Sequence, residues 1–238
     1  MNRFFLSLFI LIGGPAVAQT IPHDSLILKS IYVHINTDKR SADYKYEDEI
    51  YTFSVVYKEL WKVSEKETLL VVVTRAPLHN LHGHFWNLNT ICYLKESSKL
   101  WKTILMKTEE DYLEGEYRLM QIGAGKMALL GDCSSTGNHH FERSLRIKEL
   151  TSKGAASIGF VGLDYSNEAF ISNEFKENEP CPINDVRSNY EFVKSGKEYF
   201  DLVLTQEEAK YTEGCKSHTP TSKKLVYTHD GTRYELVK

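Results

Sequence analysis

The chain has 238 residues, with 29 Lys and Arg against 32 Asp and Glu and a formal net charge of −3. That mild acidity argues against nucleic acid, whose binding draws on clustered Lys and Arg to displace phosphate counterions, and against electrostatic docking on anionic lipid. The length suits one large β domain or two small ones.

The first residues have the layout of a secretory signal. Arg3 supplies a positive start, Phe4 to Ile12 is a nearly continuous apolar run, Gly13-Gly14-Pro15 breaks it, and Ala16-Val17-Ala18 is a small-x-small site before Gln19. Residues 1–18 are expected to be a signal peptide cleaved after Ala18, and residues 19–238 a single β-rich domain. The apolar run is too short to span a bilayer. No cysteine follows the cleavage site, so a lipoprotein anchor is not expected. The expectation is a periplasmic or secreted protein with no integral membrane segment after cleavage.

In chain order, residues 19–30 read as a loose lead-in and Ile31 to Ile35 as a strand or part of a short helix. Asn36 to Asp48 is charged and reads as a loop carrying Tyr44 and Tyr46. Ile50 to Val63 alternates as a strand, with Tyr51, Phe53, Val55 and Tyr57 on one face. The stretch from Leu69 to Leu105 organises the chain. It holds the apolar run Leu69 to Val73, a polar loop around His79, His82 and His84, and a hairpin through Ile91 and Ile104, with Val72, Ile91 and Ile104 expected in the core. Lys107 to Glu114 reads as an acidic turn or short helix. A hairpin follows around Gly123-Ala124-Gly125, then a polar loop from Asp132 to His140.

Phe141, Arg143, Leu145 and Ile147 share one face of the next strand, with the arginine out of place on the apolar side. Ala155 to Asp164 is a strand whose Gly159 and Gly162 suggest a bulge or a close backbone approach. Tyr165 to Asp185 is irregular, with a short strand at Glu168 to Ile171. Val186 to Val193 and Glu198 to Leu204 are partner strands, Gln206 to Pro220 is a loop, and Asp230-Gly231 marks a closing hairpin. Many short strands between turn signals, with few short helices, predict an all-β antiparallel meander forming a sandwich, barrel or partial propeller-like domain.

Four cysteines suit disulfides in an oxidising compartment. Three pairings are open. Cys181 with Cys215 is favoured because both stand in loop-like sequence, whereas Cys92 lies inside a strand and reads equally as a small buried hydrophobe.

His79, His82 and His84 are the candidate metal ligands. Imidazoles suit Zn or Cu, and His82 and His84 would share a face of an extended segment. The H-x-x-H-x-H pattern matches no known motif, and a metalloprotease helix needs Glu where Asn80 stands, so a plain His-rich loop is the simpler reading and no cofactor is predicted. His139-His140 near Ser134, Ser135 and Asp132 has no G-x-S-x-G elbow around it. Gly123-Ala124-Gly125-Lys126 has the wrong spacing for a phosphate loop, and Met127 replaces its hydroxyl. Phe85, Trp86, Tyr44 and Tyr46 are the candidate binding aromatics, for stacking on a sugar or a protein.

Lys99-Leu100-Trp101-Lys102-Thr103, the stretch Tyr199 to Leu204 after Lys194-Ser195-Gly196, and the closing Tyr227 to Tyr234 with its Tyr-x-x-x-Gly-x-x-Tyr pattern carry a resemblance. They are similar to hairpins of uncharacterised exported all-β proteins of Gram-negative bacteria. The resemblance covers about a tenth of the chain and implies a periplasmic or surface protein; it carries over no functional residue. The expected function is that of an exported soluble binding protein recognising a protein or glycan in the envelope, with inhibition of a secreted hydrolase as one version. The alternative is a metal-binding protein or metal-dependent enzyme built on His79, His82 and His84.

Overall fold

A computed structural model of the chain describes residues 20–36, 41–78, 86–97, 100–111, 114–137, 140–167, 181, 183–211, 215 and 218–237. Among them the chain forms one helix and fourteen strands. After α1 (Asp24–Ile31), a six-stranded antiparallel sheet is built from β1 (His34–Asn36), β2 (Ser41–Tyr46), β3 (Glu49–Ser64), β4 (Glu67–Leu78), β5 (Trp86–Ser97) and β6 (Leu100–Asp111). An eight-stranded antiparallel sheet follows from β7 (Glu114–Gly123), β8 (Lys126–Gly137), β9 (His140–Thr151), β10 (Gly154–Ser166), β11 (Asp185–Val193), β12 (Asp201–Tyr211), β13 (His218–His229) and β14 (Tyr234–Leu236). Within each sheet every strand lies beside its neighbours in sequence. The all-β antiparallel meander read from the sequence is the fold observed.

The layering follows from β4. Its run Leu69 to Val73 is buried throughout. Successive side chains of a strand point to opposite faces, so Leu69, Val71 and Val73 face one way, joining Trp61, Ile91 and Tyr93 against Leu129, Leu150 and Ala155 of the eight-stranded sheet. Leu70 and Val72 face the other way, packing with Cys92 and Leu94 against Ile27 of α1. The order of layers is helix, six-stranded sheet, eight-stranded sheet.

Helix α1 replaces the loose lead-in expected over residues 19–30. His23 caps it, its Nδ1 accepting the Ser25 N–H, and Asp24 stands in the first turn, where a negative charge favours the helix dipole. Eight residues are too few for an isolated helix to persist. Burial of Ile27 and Leu28, each contributing about 1.5–3 kcal/mol, holds it on the sheet. Lys58 adds a clamp, donating to the Pro22 carbonyl at 3.0 Å and to Asp24 at 2.6 Å.

Strand β3 carries a bulge between Val55 and Tyr57. An extra residue reverses the facing of every side chain beyond it. Phe53 therefore packs under α1 with Tyr51 and Val55, while Tyr57 turns to the other side and its hydroxyl accepts the Leu119 N–H of β7 at 2.8 Å. Burial, then the neighbouring Glu59, pushes this phenol well above its usual range. A similar irregularity near Tyr93 and Leu94 leaves Ile104 without a direct partner on β5. Ile104 is 52 % exposed, against the expectation that it is core.

The eight-stranded sheet curls into a half-barrel. Ile122, Leu130, Leu145, Ile147, Leu202, Leu204 and Tyr234 fill its interior, so the curl is a packed core. It is drawn together where the end of β7 meets the approach to β12: Phe200 N–H donates to the Ile122 carbonyl at 2.7 Å and Ala124 N–H to the Glu198 carbonyl at 3.0 Å. A Cβ on Gly123 would lie 2.3 Å from the Glu198 oxygen, so only glycine permits this approach.

Four stretches expected as loops or turns contain strands. The expected loop at 36–48 contains β2, and the acidic stretch at 107–114 holds the end of β6 and the start of β7. Residues 132–140 belong largely to the β8–β9 hairpin, and 206–220 contain the rest of β12 and the start of β13. In the last of them the cause is the lack of a buried face: His218 to Lys224 of β13 is exposed throughout and shows no apolar alternation. The short strand expected at Glu168 to Ile171 lies outside the described residues. No helix among the described residues is long and apolar enough to cross a membrane.

Cys181 and Cys215 form a disulfide with Cα atoms 5.0 Å apart. Cys181 precedes β11 and Cys215 follows β12, so the bond staples the open end of that strand pair. Cys92 and Cys133 lie outside the disulfide, both buried, and burial pushes the Cys92 thiol up to about 12. A protonated, enclosed thiol is a poor nucleophile. Thiol titration is expected to find no reactive group in the native protein and two, Cys92 and Cys133, after denaturation without reductant.

Candidate functional site

The eight-stranded sheet has a seam. β10 pairs with β9 along its length, but with β11 only through Tyr165 and Val186 and through Ser166 and Asp185. From Gly154 to Asp164 its outer edge has no strand partner among the described residues. The curl brings β14 towards this edge, leaving a groove of about 520 Å³ between residues 157–160 and 233–236.

Local sequence shapes both walls. β10 bulges between Ser157 and Gly159 and again between Gly162 and Asp164, as its two glycines suggested. At Gly159 the backbone crosses Ile147, and a Cβ there would meet the Ile147 side chain at 2.9 Å. Ile158 is thereby turned into the core, while Phe160 is 60 % exposed. The Arg146 guanidinium lies 5.6 Å from the centre of the Phe160 ring. On the far wall Leu236 and the adjoining Val237 are also exposed, and Arg233 is engaged by Glu235 at 2.7 Å. The tight turn before β14 is held by Asp230, whose carboxylate accepts the backbone N–H groups of Thr232 and Arg233. Those bonds hold it down at about 2.

The closed end of the seam is pinned by charge. Arg143 donates from Nε and Nη2 to the two Asp132 oxygens at 2.7 and 2.8 Å, and from Nη1 to Asp164 at 3.0 Å. Asp164 also accepts the Ser188 N–H at 2.7 Å, and Gln206 donates to the Ser188 hydroxyl at 3.3 Å. One network thus ties β8, β9, β10, β11 and β12 together beside the two residue pairs that join β10 to β11. The arginine that looked misplaced on an apolar face is its centre.

The residues picked out from the sequence fall elsewhere. His79, His82, His84 and Phe85 lie outside the described residues, in the connection between β4 and β5. Trp86 opens β5 opposite Leu78, its side chain outside the described set. Tyr44 and Tyr46 are half-buried and pack with the cluster around Leu28 and Phe53. Tyr44 lies 5.4 Å from Tyr32 and 6.1 Å from Phe53, ring centre to ring centre. No three His, Cys, Asp or Glu side chains converge among the described residues. Asp132 is held by Arg143, and His140 pairs with Glu142 at 3.1 Å, so these residues do not assemble a hydrolase triad; His139 lies outside the described residues. Lys126 of the phosphate-loop lookalike pairs with Glu198 at 2.9 Å and Glu149 at 3.3 Å.

No protein-family model, no curated protein and no solved structure matches this chain.

Removing Arg143 leaves two carboxylates crowded in a largely enclosed space. Breaking a buried ion pair by deleting one partner costs about 3–5 kcal/mol. Arg143 and Asp132 keep part of their water contact, which brings the expected loss for Arg143→Met down to about 2–3 kcal/mol. Urea unfolding is the measurement. Adding Asp132→Asn and Asp164→Asn is expected to restore much of the loss, because the stranded charges then disappear.

Proposed function

We propose that this chain is an exported binding protein of the bacterial envelope that takes an extended polypeptide segment against the free edge of β10. The edge of β10 that has no strand partner among the described residues, opposed across the groove by β14, is the observation that carries the reading. A strand edge presents backbone N–H and C=O groups in the pattern that another strand completes, and strand addition is a recurring mode of peptide recognition. Bulges and glycines confine the accessible edge to a short stretch. Affinity then rests on anchors beside it: the exposed Phe160, with Leu236 across the groove. Aromatic residues ringed by lesser contacts dominate many protein interfaces.

The polypeptide reading is preferred to a small molecule held inside the curl because that interior is already filled by side chains. Export is supported by the signal-like layout of residues 1–18 and by the Cys181–Cys215 disulfide, a bond favoured in oxidising compartments. Expressed in a Gram-negative host, the protein is expected in the periplasmic or secreted fraction with a mass starting at Gln19; full-length protein retained in the cytoplasm would overturn the export reading.

The binding reading is tested with linear peptides selected from a random library against the folded protein. Phe160→Asp and Leu236→Asp alter exposed side chains, so both variants are expected to keep the wild-type melting temperature. Affinity for the selected peptides is expected to fall by about tenfold or more, the scale of an anchor residue. Peptides that bind both variants as tightly as wild type would remove the seam as the site.

A further inference from the structure

The two walls of the seam groove run in the same direction. From β10 to β14 each strand is antiparallel to the next, so β14 has the heading of β10. Both start from one end of the half-barrel. There Tyr199 donates to Glu149, near the turn into β10, and stacks at 3.8 Å on His229, which opens the turn into β14. β14 is also the last strand of its sheet, so its far edge has no strand partner among the described residues. The groove between residues 157–160 and 233–236 is thus bordered by two strand edges of like direction.

The ladder between β13 and β14 fixes which backbone groups of β14 look into the groove. Val237 N–H donates to the Val226 carbonyl at 2.8 Å and Asp230 N–H to the Arg233 carbonyl at 3.0 Å. Between those bonds the register is Tyr227 with Leu236, Thr228 with Glu235 and His229 with Tyr234. Hydrogen-bonded and non-bonded pairs alternate in an antiparallel ladder. Thr228 with Glu235 is therefore a bonded pair, and the pairs on either side of it are not. The N–H and C=O groups of Tyr234 and Leu236 consequently point away from β13, towards the groove that these residues line.

We propose, on the reading that the seam takes an extended polypeptide, that the guest strand pairs with β10 and β14 at once and runs antiparallel to both. Because the two walls share one heading, a guest antiparallel to one is antiparallel to the other. The opposite orientation would be parallel to both, the less stable pairing per residue. A strand flanked on each side sets its neighbours two strand spacings apart, about 9.5 Å. Cα atoms of β10 and β14 come within 8 Å of one another, so the walls part by about 2 Å on entry. β14 is the wall that gives: three residue pairs hold it to β13, whereas β10 is paired with β9 from Gly154 to Ser166.

The test uses library-selected peptides whose affinity falls with Phe160→Asp and Leu236→Asp, bound to the full chain. Each is remade with one backbone N-methyl group at successive positions. A strand paired along one edge tolerates the methyl at every second residue, since alternate N–H groups point away from that edge. The two-sided guest is expected to lose about tenfold or more in affinity at two adjacent positions, the scale of a blocked backbone hydrogen bond. A nitroxide on the peptide N-terminus is expected to broaden the amide signal of Leu163 more than that of Ala155, and one on the C-terminus to do the reverse. Tolerance at alternate positions throughout, or broadening in the opposite order, would overturn the two-sided antiparallel guest and leave the seam as a single-edge site. If no selected peptide is sensitive to the two variants, the seam reading itself fails and this proposal falls with it.

Discussion

The arrangement depends on one strand being buried on both faces. β4 offers apolar side chains to the eight-stranded sheet through Leu69, Val71 and Val73, and to α1 through Leu70 and Val72. A sheet wetted on one side would need only half of them. With both faces apolar, the helix and the second sheet become mutually necessary, since losing either exposes a continuous aliphatic strip. The bulge in β3 serves the same end. It lets a single strand bury Phe53 under the helix and deliver Tyr57 to Leu119 of the opposite sheet.

The second sheet solves a different problem. Eight strands in a meander leave two edges, and curling brings parts of the sheet into contact without closing it. Glycine at position 123 lets backbone meet backbone at one end. At the other, Arg143 gathers Asp132 and Asp164, and through Asp164 the Ser188 amide. Between these two fastenings β10 and β11 diverge, and the open edge is what remains. The open stretch of β10 is short and bulged instead of flat, a form by which natural sheets limit unwanted pairing.

Legibility in the sequence tracked burial. Strands with one wet face, such as β3 and β9, announced themselves by alternation, and the doubly buried β4 by its apolar run. The exposed parts of β12 and β13 were silent because period two is visible only when the two faces meet different solvents. Helix α1 was missed for its length, eight residues held by the sheet beneath. Chemistry was legible where a residue contradicted its surroundings: Arg143 on an apolar face, and glycines inside β10. The burial of Asn87 and Asn89 gave no such signal, since asparagine in a strand reads as a surface residue until both neighbouring layers are known. The Cys181–Cys215 pairing was legible because both partners stood in turn-like sequence outside the strands.

The meander has a consequence for the order of assembly. Most strand pairings join neighbours in the chain, and such local contacts form fast, so hairpins can accumulate as the polypeptide emerges N-terminus first. The curl is the exception. Its fastening rests on Tyr234, whose hydroxyl donates to the Phe200 carbonyl at 3.0 Å and reaches the Ile122 carbonyl across 112 positions of sequence. The half-barrel is therefore locked by β14, the last of the described strands. Until β14 is in place the apolar inner surface is only partly covered, and exposed apolar surface of that kind favours aggregation.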